Sequence, residues 1–285
     1  SNPTYKIVTE SKNLVLRRKP PGKLLPSAHA VDREYKVITA LYETDVPVPK
    51  TYGLCEDDEI AGTAFFVMDF LDGDLFWNPM IPSLSNQDRT EIYQNKNKTL
   101  ALLHGVDYKK IGLEDYGKPG NYVARQVARW SKQYRASETD DIEAMNNLID
   151  WLPKNIPDDD ETSIVHGDYR LDNMILKNNQ VMGVLDWELS TLGHPIADFS
   201  YHCLSWRTQE AFWNQAKLKE LGIPSEKEYM DMYCENTGKD LSKNWEFYMA
   251  FNMFKIAGIL QGILGRVRDG PPPSNHAEER GMMVY

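Results

Sequence analysis

Two apolar runs of the sequence are interrupted by polar side chains of the kinds that carry out catalysis. The run SIVHGDYRLDNMIL contains His166, Asp168 and Asn173, and the later run GVLDWE contains Asp186. Polar groups are costly in an apolar setting unless they are hydrogen-bonded or bound to an ion. These four residues are therefore the first candidates for a functional site.

The segment between the two runs indicates how their polar residues come together. The sequence MILKNNQVMGVL reads as two short strands joined by a tight turn at residues 177–180. A hairpin brings its two ends together, so Asn173 and Asp186 can converge on one point. Two oxygen ligands suit Mg²⁺, which leaves its remaining positions to phosphates and water. We therefore predict that Asn173 and Asp186 bind Mg²⁺.

Asp168 stands beside this predicted metal site and has a different predicted task. Its carboxylate can accept the proton of a hydroxyl nucleophile, and general-base help of this kind is worth roughly 10² to 10⁴ in rate. The metal site would hold a transferring phosphoryl group. The residue types therefore predict phosphoryl transfer to a hydroxyl group, with Asp168 as the base and Asp172 as a turn residue.

Composition and charge exclude several other classes of protein. The 285 residues are 41% hydrophobic, which is enough for one large domain or two lobes with a sizeable core. A formal net charge of −10 argues against a nucleic-acid partner. The three cysteines have no CxxC spacing, and there is no unbroken apolar run of about 18 residues. We expect a cytoplasmic protein without a membrane partner, and the oligomeric state stays open.

The order of predicted elements divides the chain into two lobes. Alternation at Tyr5 and Ile7 and at Leu14 and Leu16 predicts two strands, and TAFFVMDFL predicts another. Helical spacing in PSAHAVDREYKVITALYET predicts a helix, with Ser27 as its cap. Beyond LDGDLFWNPMIP, which is rich in chain-breaking residues, the sequence is mostly helical.

We therefore predict an α+β fold with two lobes. Residues 1–71 would form a small nucleotide-binding lobe of mixed sheet and helix, and residues 72–285 a larger, mainly helical lobe for catalysis and acceptor binding.

Three segments together resemble the aminoglycoside phosphotransferase and choline kinase-like family, whose members are related to protein kinases. VHGDYRLDN resembles the family's H-G-D-x-x-x-x-N catalytic loop, and GVLDWE resembles its metal-binding segment. GHPIADFSYH resembles the G-D-P-x-x-D-L-A segment, in which Asp198 would hold the catalytic loop. The segments SNPTY, VLRRKPPGKLLPSAHAVDREY and DYGKPGNYVARQVARWSKQY look like phosphotransferase-like proteins associated with acyl-CoA dehydrogenases.

This resemblance spans nearly the whole chain and implies a bilobal protein-kinase-like fold. It implies ATP or GTP as donor, Mg²⁺, and a small-molecule acceptor with a hydroxyl group. In the subgroup associated with acyl-CoA dehydrogenases, the implied acceptor is a hydroxyacyl-CoA or a hydroxy acid. Aminoglycosides, choline-like amines and sugars remain alternative acceptors. A catalytically inactive nucleotide-binding module is an alternative of another class, although it should lack one of Asp168, Asn173 and Asp186.

The resemblance also implies residues that contact the phosphates. Arg17 takes the strand position where kinases have a phosphate-contacting lysine, and Glu34 is its candidate ion-pair partner. A forked guanidinium binds phosphate differently from an ammonium, so Arg18 or Lys19 could share the task if the register slips. Arg170 would reach the transferred phosphate or the acceptor.

Further residues are implied around the base of the nucleotide. Met68 would lie at the back of an adenine pocket, and backbone groups of Asp69 and Leu71 would pair with the base. The glycine-rich loop of a kinase would precede Ser1, and we expect the sequence to begin after that loop. In the same resemblance His166 is a structural residue of the catalytic loop.

Overall fold

The computed structural model describes residues 2–22, 29–269 and 283. The chain divides into two compact units. The first comprises residues 1–118, 163–192 and 205–239, and the second comprises residues 119–162, 193–204 and 240–285. The predicted lobe boundary between residues 71 and 72 falls inside the first unit, and the division into lobes stays a prediction.

Helices and strands follow one another in an order typical of a mixed fold. The strands are β1 (Thr4–Val8), β2 (Asn13–Arg18), β3 (Thr51–Cys55), β4 (Phe65–Asp69), β5 (Ser163–Val165), β6 (Met174–Lys177), β7 (Gln180–Val184) and β8 (Thr191–Gly193). The helices are α1 (Val31–Leu41), α2 (Asp58–Ala61), α3 (Asn86–Gly105), α4 (Tyr122–Ser137), α5 (Glu143–Trp151), α6 (Pro195–Cys203), α7 (Ser205–Thr208), α8 (Gln215–Glu220), α9 (Glu226–Thr237) and α10 (Trp245–Asp269). The strand-rich start and helical remainder confirm the predicted α+β class.

The first unit begins with a four-stranded antiparallel sheet in the order β1-β2-β4-β3. The two strands predicted from alternation are β1 and β2. The predicted helix is α1, which buries Val31, Ile38 and Leu41 at helical spacing. Ala30 precedes α1 without a side-chain cap, and the predicted cap Ser27 lies outside the described residues.

The predicted hairpin between the two polar runs is present as β6 and β7. Met174 pairs with Val184, and Lys177 pairs with Gln180. The turn residues Asn178 and Asn179 have φ angles of 51° and 62°, in the left-handed region that a two-residue hairpin turn of type I′ requires. The sequence NN therefore fixes the register that carries the ends of both strands to the candidate site.

Helix α3 holds the turn of this hairpin. The Asn179 amide donates to Asp88 Oδ1 at 2.7 Å and to Glu91 Oε2 at 2.9 Å, and Asn95 Nδ2 donates to the Asn179 carbonyl at 2.9 Å. Asp88 also completes a capping box with Ser85 at the start of α3. The position of the hairpin is thus fixed by the first turns of a well-capped helix.

The second unit contains α4, α5, α6 and α10. Asn252 of α10 is buried, and its side chain donates to the Ala197 carbonyl at 2.9 Å and to Ser200 Oγ at 2.8 Å in α6. Gly258 lies where α10 packs on α4, and a Cβ there would lie 3.4 Å from the Trp130 ring. These contacts make α10 the central helix of this unit.

Among the described residues, one helix is long and apolar enough to cross a membrane by length and composition. It is the stretch Trp245–Arg268 of α10, with a mean hydropathy of 1.3 in its most apolar window. Of that window, 56% is buried inside the protein, and core helices of soluble proteins pass the same test. This is weak evidence for a membrane span. A cytoplasmic location and the absence of membrane and nucleic-acid partners remain predictions.

Candidate active site

Arg17 joins three elements of the first unit. From β2, its Nε donates to Glu34 Oε2 of α1 at 2.7 Å, and its Nη2 donates to Asp186 Oδ1 beyond β7. The Arg17 side chain is 11% exposed and that of Glu34 only 1%. The predicted pair of Arg17 and Glu34 is therefore a buried contact that also includes the predicted metal ligand Asp186.

Burial and charge act in opposite directions on this cluster. Burial acts to lower the pKa of Arg17, but the carboxylates of Glu34 and Asp186 outweigh it, so the pKa is raised above its ordinary value. Burial raises the pKa of the Glu34 carboxyl, which the Arg17 guanidinium opposes. The guanidinium thus stays charged, and Glu34 depends on it as a counter-ion.

The backbone around Asp186 is unusual and is held by Glu34. Asp186 has φ 62° and ψ 60°, a left-handed conformation that side-chain-bearing residues adopt uncommonly. The next residue, Trp187, donates its backbone N–H to Glu34 Oε1 at 3.2 Å. One carboxylate of α1 therefore binds both Arg17 and the residue after Asp186.

His166 supports the loop that carries Asp168. The Asp168 N–H donates to His166 Nδ1 at 3.2 Å, so that nitrogen carries no proton. His166 Nε2 then donates to the Leu185 carbonyl at 2.9 Å, next to Asp186. This neutral, fully buried imidazole ties the loop to the strand end, in keeping with the structural role predicted for it.

Gly167 is required for the close approach of this loop to the segment after Asp186. Its φ is 82°, and a Cβ there would lie 2.8 Å from the Leu189 carbonyl oxygen. A side chain at this position would meet both backbone strain and a steric clash.

The carboxylate of Asp168 is contacted by two nearby side chains. Asn173 Nδ2 donates to the Asp168 carbonyl at 2.8 Å and to Asp168 Oδ2 at 3.2 Å. Arg170 Nε lies 3.5 Å from Asp168 Oδ1, and Arg170 Nη2 donates to Asp172 Oδ2 at 2.6 Å. With its side chain 58% exposed, Arg170 forms a solvent-facing pair beside the predicted base.

The oxygens of Asn173 and Asp186 fit a magnesium ion chemically. The Leu185 N–H donates to the Asn173 carbonyl at 2.8 Å, so the two predicted ligands lie at the facing ends of the hairpin. Asn173 uses its amide nitrogen for Asp168, and its Oδ1 accepts no hydrogen bond from the described residues. Asp186 Oδ2 likewise accepts none from that part of the chain. An amide and a carboxylate oxygen are ligands that Mg²⁺ takes when phosphates and water supply the rest.

No group of three or more His, Cys, Asp and Glu side chains able to hold a metal occurs within the described ranges. A site built from one carboxylate and one amide leaves most of the metal's positions to other ligands. That donor set differs from the carboxylate and histidine clusters of two-metal hydrolases.

The predicted adenine-binding residues lie at and just beyond the end of β4. Met68 is buried, and the Asp69 N–H donates to the Lys50 carbonyl at 2.8 Å, so this N–H is already used within the protein. Of the Asp69 backbone groups, the carbonyl is therefore the one left to pair with a base. The Asp69 side chain points elsewhere, because Tyr52 Oη donates to it at 2.7 Å.

Leu71 packs against β7 in a way that depends on a glycine. A Cβ on Gly183 would overlap Leu71 Cδ1. A glycine inside a strand often marks such a close approach, so Gly183 in the sequence VMGVL is the local signal for this contact.

The structure thus brings together two groups of predicted residues within the first unit. Arg17, Glu34 and Asp186 form one group, and Asp168, Arg170 and Asn173 form the other. The roles assigned to them remain predictions. Arg18, the alternative to Arg17, donates instead to the Ala61 carbonyl at 2.7 Å. Asp198 is buried in α6 of the second unit, and its predicted hold on the loop stays a prediction.

The chain matches a known protein family over most of its length. The model of the phosphotransferase enzyme family matches residues 1–233. Acyl-CoA dehydrogenase family member 10 of Mus musculus is 45% identical over 291 residues, covering 100% of this chain but only 27% of that protein. The chain thus spans about a quarter of this curated relative.

Solved structures of known proteins share the fold of this chain. A crystal structure from Ralstonia eutropha JMP134, provisionally named an aminoglycoside phosphotransferase, is 49% identical, with a TM-score of 0.91 and coverage of 100% of this chain and 86% of that one. A thermostable mutant of aminoglycoside phosphotransferase APH(4)-Ia, in complex with ADP and hygromycin B, is 13% identical, with a TM-score of 0.63 over 99% of this chain and 88% of that one. At that identity the likeness shows the fold alone.

Proposed function

Because the chain belongs to the phosphotransferase enzyme family, we propose that it transfers the γ-phosphoryl group of ATP or GTP to a hydroxyl group of a small molecule. The observation that supports this best is the ionic contact of Arg17 with Glu34 and Asp186. It joins the sheet, α1 and the segment after the hairpin at the point where a nucleotide phosphate and its metal would be held.

In the proposed reaction Asp168 accepts the proton of the acceptor hydroxyl. The acceptor oxygen forms a bond to the γ-phosphorus, the bond from that phosphorus to the β,γ-bridging oxygen breaks, and a nucleoside diphosphate leaves. Asn173 Nδ2 orients the Asp168 carboxylate at 3.2 Å, and Arg170 lies beside it as a cation for the transferring group or the acceptor. Asp168 thus needs to be reachable, and its side chain is 27% exposed.

Asn173 and Asp186 would hold Mg²⁺. When bound, the ion neutralises charge on the phosphate oxygens. Arg17 forms ion pairs with Glu34 and Asp186. We propose that it positions Asp186 as well as contacting phosphate. Met68, the Asp69 carbonyl and the backbone of Leu71 would meet the base.

Replacement of Asp186 by alanine tests the metal assignment. We expect Asp186→Ala to remove the Mg²⁺-dependent part of ATP affinity, because Asp186 is the only carboxylate proposed to bind the ion. Calorimetric titration with ATP, in Mg²⁺ and in EDTA, measures that part. Unchanged affinity for Mg·ATP in the variant would refute the assignment.

For the acceptor we propose a hydroxyacyl-CoA or a hydroxy acid. The support is the name of the mouse relative, an acyl-CoA dehydrogenase family member that carries a region 45% identical to this chain. An aminoglycoside is the second candidate, favoured by the provisional name of the Ralstonia eutropha relative at 49% identity.

A screen of nucleotide consumption decides between these acceptors. ADP or GDP formation is measured with Mg²⁺ and each of a set of hydroxyacyl-CoAs, free hydroxy acids, aminoglycosides and choline, and Asp168→Asn is the blank. We expect acceptor-dependent turnover with a hydroxyacyl-CoA or hydroxy acid. Turnover only with an aminoglycoside or choline would overturn the proposed acceptor. No turnover with any acceptor would favour a nucleotide-binding module without kinase activity.

A further inference from the structure

The segment Asp115–Tyr116–Gly117 has no role in the proposed reaction, yet all three of its residues contact the elements that carry the site. Lys36 of α1 donates to Asp115 Oδ1 at 2.6 Å. Arg33 of α1 donates to the Tyr116 carbonyl at 2.7 Å, and its guanidinium lies 4.4 Å from the centre of the Tyr116 ring. The segment therefore contacts α1, the helix that carries Glu34, through two side chains about one helical turn apart, Arg33 and Lys36.

The same segment is joined to the turn that follows Asp186 by a chain of hydroxyl groups. Tyr116 and Ser190 are both buried, with Tyr116 Oη 2.5 Å from Ser190 Oγ and Ser190 Oγ 2.5 Å from the Trp187 carbonyl. A carbonyl can only accept, so the Ser190 hydroxyl donates to Trp187. Its single proton is then used, and Tyr116 must be the donor to Ser190.

Gly117 allows this approach. A Cβ on Gly117 would lie 2.5 Å from Thr191 Oγ1 and 2.7 Å from the Leu192 backbone nitrogen, so any larger residue would push the segment away from β8. A backbone placed this close to a strand is a second, independent sign that the segment is built to lie there.

These contacts fix the backbone of Trp187, because both its N–H and its carbonyl are hydrogen-bonded to side chains. Its N–H donates to Glu34 Oε1 at 3.2 Å, and its carbonyl accepts from Ser190 Oγ. Asp186, immediately before it, has the uncommon left-handed backbone, which persists only where the surroundings enforce it.

We propose that Asp115–Tyr116–Gly117 is a clamp that fixes α1 and the turn 187–190 against each other, and that Tyr116 and Ser190 are positioning residues for Asp186. The inference rests on the proposed function only where it concerns the metal ligand. Burial raises the pKa of the Tyr116 hydroxyl to about 12, so it keeps the proton that it donates at physiological pH.

The first test measures the clamp without any ligand. Tyr116→Phe removes the donor and keeps the ring, and Tyr93→Phe is the matched control. Tyr93 is as deeply buried in the same unit and donates to the carbonyl of Pro79, which is not a residue of the candidate site, at 3.0 Å. We expect hydrogen exchange of the peptide spanning residues 186–190 to become about fivefold faster in Tyr116→Phe, the effect of one lost buried hydrogen bond. Equal exchange of that peptide in the two variants would overturn the clamp.

The second test asks whether the clamp serves the metal site. ATP affinity is measured by calorimetry in Mg²⁺ and in EDTA for the wild type, Tyr116→Phe, Tyr93→Phe and Ser190→Ala. We expect Tyr116→Phe and Ser190→Ala to weaken binding about fivefold in Mg²⁺ only. Equal weakening in EDTA would show a general loss of structure and overturn the positioning role.

The double variant tests whether Tyr116 acts through Ser190. If Tyr116 acts through Ser190, adding Tyr116→Phe to Ser190→Ala should speed exchange no further, whereas additive effects would overturn the relay. If the wild type shows no Mg²⁺-dependent binding of ATP, the proposed function fails, and the exchange measurements still decide the clamp.

Discussion

Asp186 and Asp168 are two carboxylates of one candidate site, but they are held by different kinds of contact. Asp186 is bound by Arg17, 169 positions away in the sequence, and its neighbour Trp187 by Glu34, 153 positions away. The Asp168 carboxylate is contacted by Asn173 and Arg170, which are at most five positions away in the sequence. The Asp186 side chain is thus held by elements distant in sequence, whereas the contacts of the Asp168 carboxylate lie within its own loop.

This difference suits the tasks proposed for the two residues. A metal ligand gains from a fixed position enforced by many elements, whereas a base must remain open to an incoming hydroxyl group. Changes at Asp168 should therefore affect chemistry with little effect on stability, and changes around Asp186 should affect both.

The largest expected effect is on turnover in Asp168→Asn. Loss of the base should lower kcat by roughly 10² to 10⁴. The amide keeps the size of the carboxylate and its contacts are local, so the free energy of unfolding should change by less than about 1 kcal/mol. Nucleotide turnover with the acceptor found by screening and urea unfolding provide the two measurements. Asp231→Asn on the surface of α9 is the control, and near-normal turnover in Asp168→Asn would remove the base from the mechanism.

The second effect compares the two arginines. Arg17→Met leaves the buried Glu34 without its counter-ion, which should lower the free energy of unfolding by about 3–5 kcal/mol. Arg170→Met removes a pair whose arginine is 58% exposed, and it should cost at most about 1 kcal/mol. Urea unfolding of both variants measures the contrast. Similar losses in the two would mean that Asp186 and Asp168 are not held differently after all.

The smallest effect concerns Gly167, where the loop of Asp168 touches the segment after Asp186. Gly112→Ala is the matched control, since Gly112 has φ 72° with nothing within 4 Å of an added Cβ. Both variants should lose about 1 kcal/mol from the left-handed backbone. Gly167→Ala should lose roughly 1–3 kcal/mol more, because of its overlap with the Leu189 carbonyl. Thermal unfolding of the two variants separates the cost of the left-handed backbone from the cost of the overlap. Equal losses of stability would show that the loop shifts to accommodate the added Cβ.

Local patterns allowed much of the fold to be predicted. Alternation located β1 and β2, helical spacing located α1, and the sequence NN located the turn between β6 and β7. The contact of Arg17 with Glu34 was predicted from a family resemblance and not from any local pattern. The alternation, the helical spacing and the sequence NN each lie within one element or one turn.

The parts that escaped prediction depend on contacts between distant segments. Tyr116 and Ser190 are 74 positions apart, and no periodicity in the sequence links a tyrosine to that serine. The hydrogen bond from the Asp69 N–H to the Lys50 carbonyl could not be predicted for a similar reason. It follows from how β3 and β4 pair and not from either strand alone.

The pair of Arg17 and Asp186 also bears on how the chain is made. The first unit is assembled from three separate stretches, so β2 leaves the ribosome long before its partner beyond β7. At about 5–20 residues per second, the 169 positions between them take on the order of ten to thirty seconds to synthesise. During that interval Glu34 lacks its contact with the backbone N–H of Trp187. We therefore expect translation speed and chaperone access to affect the yield of folded protein.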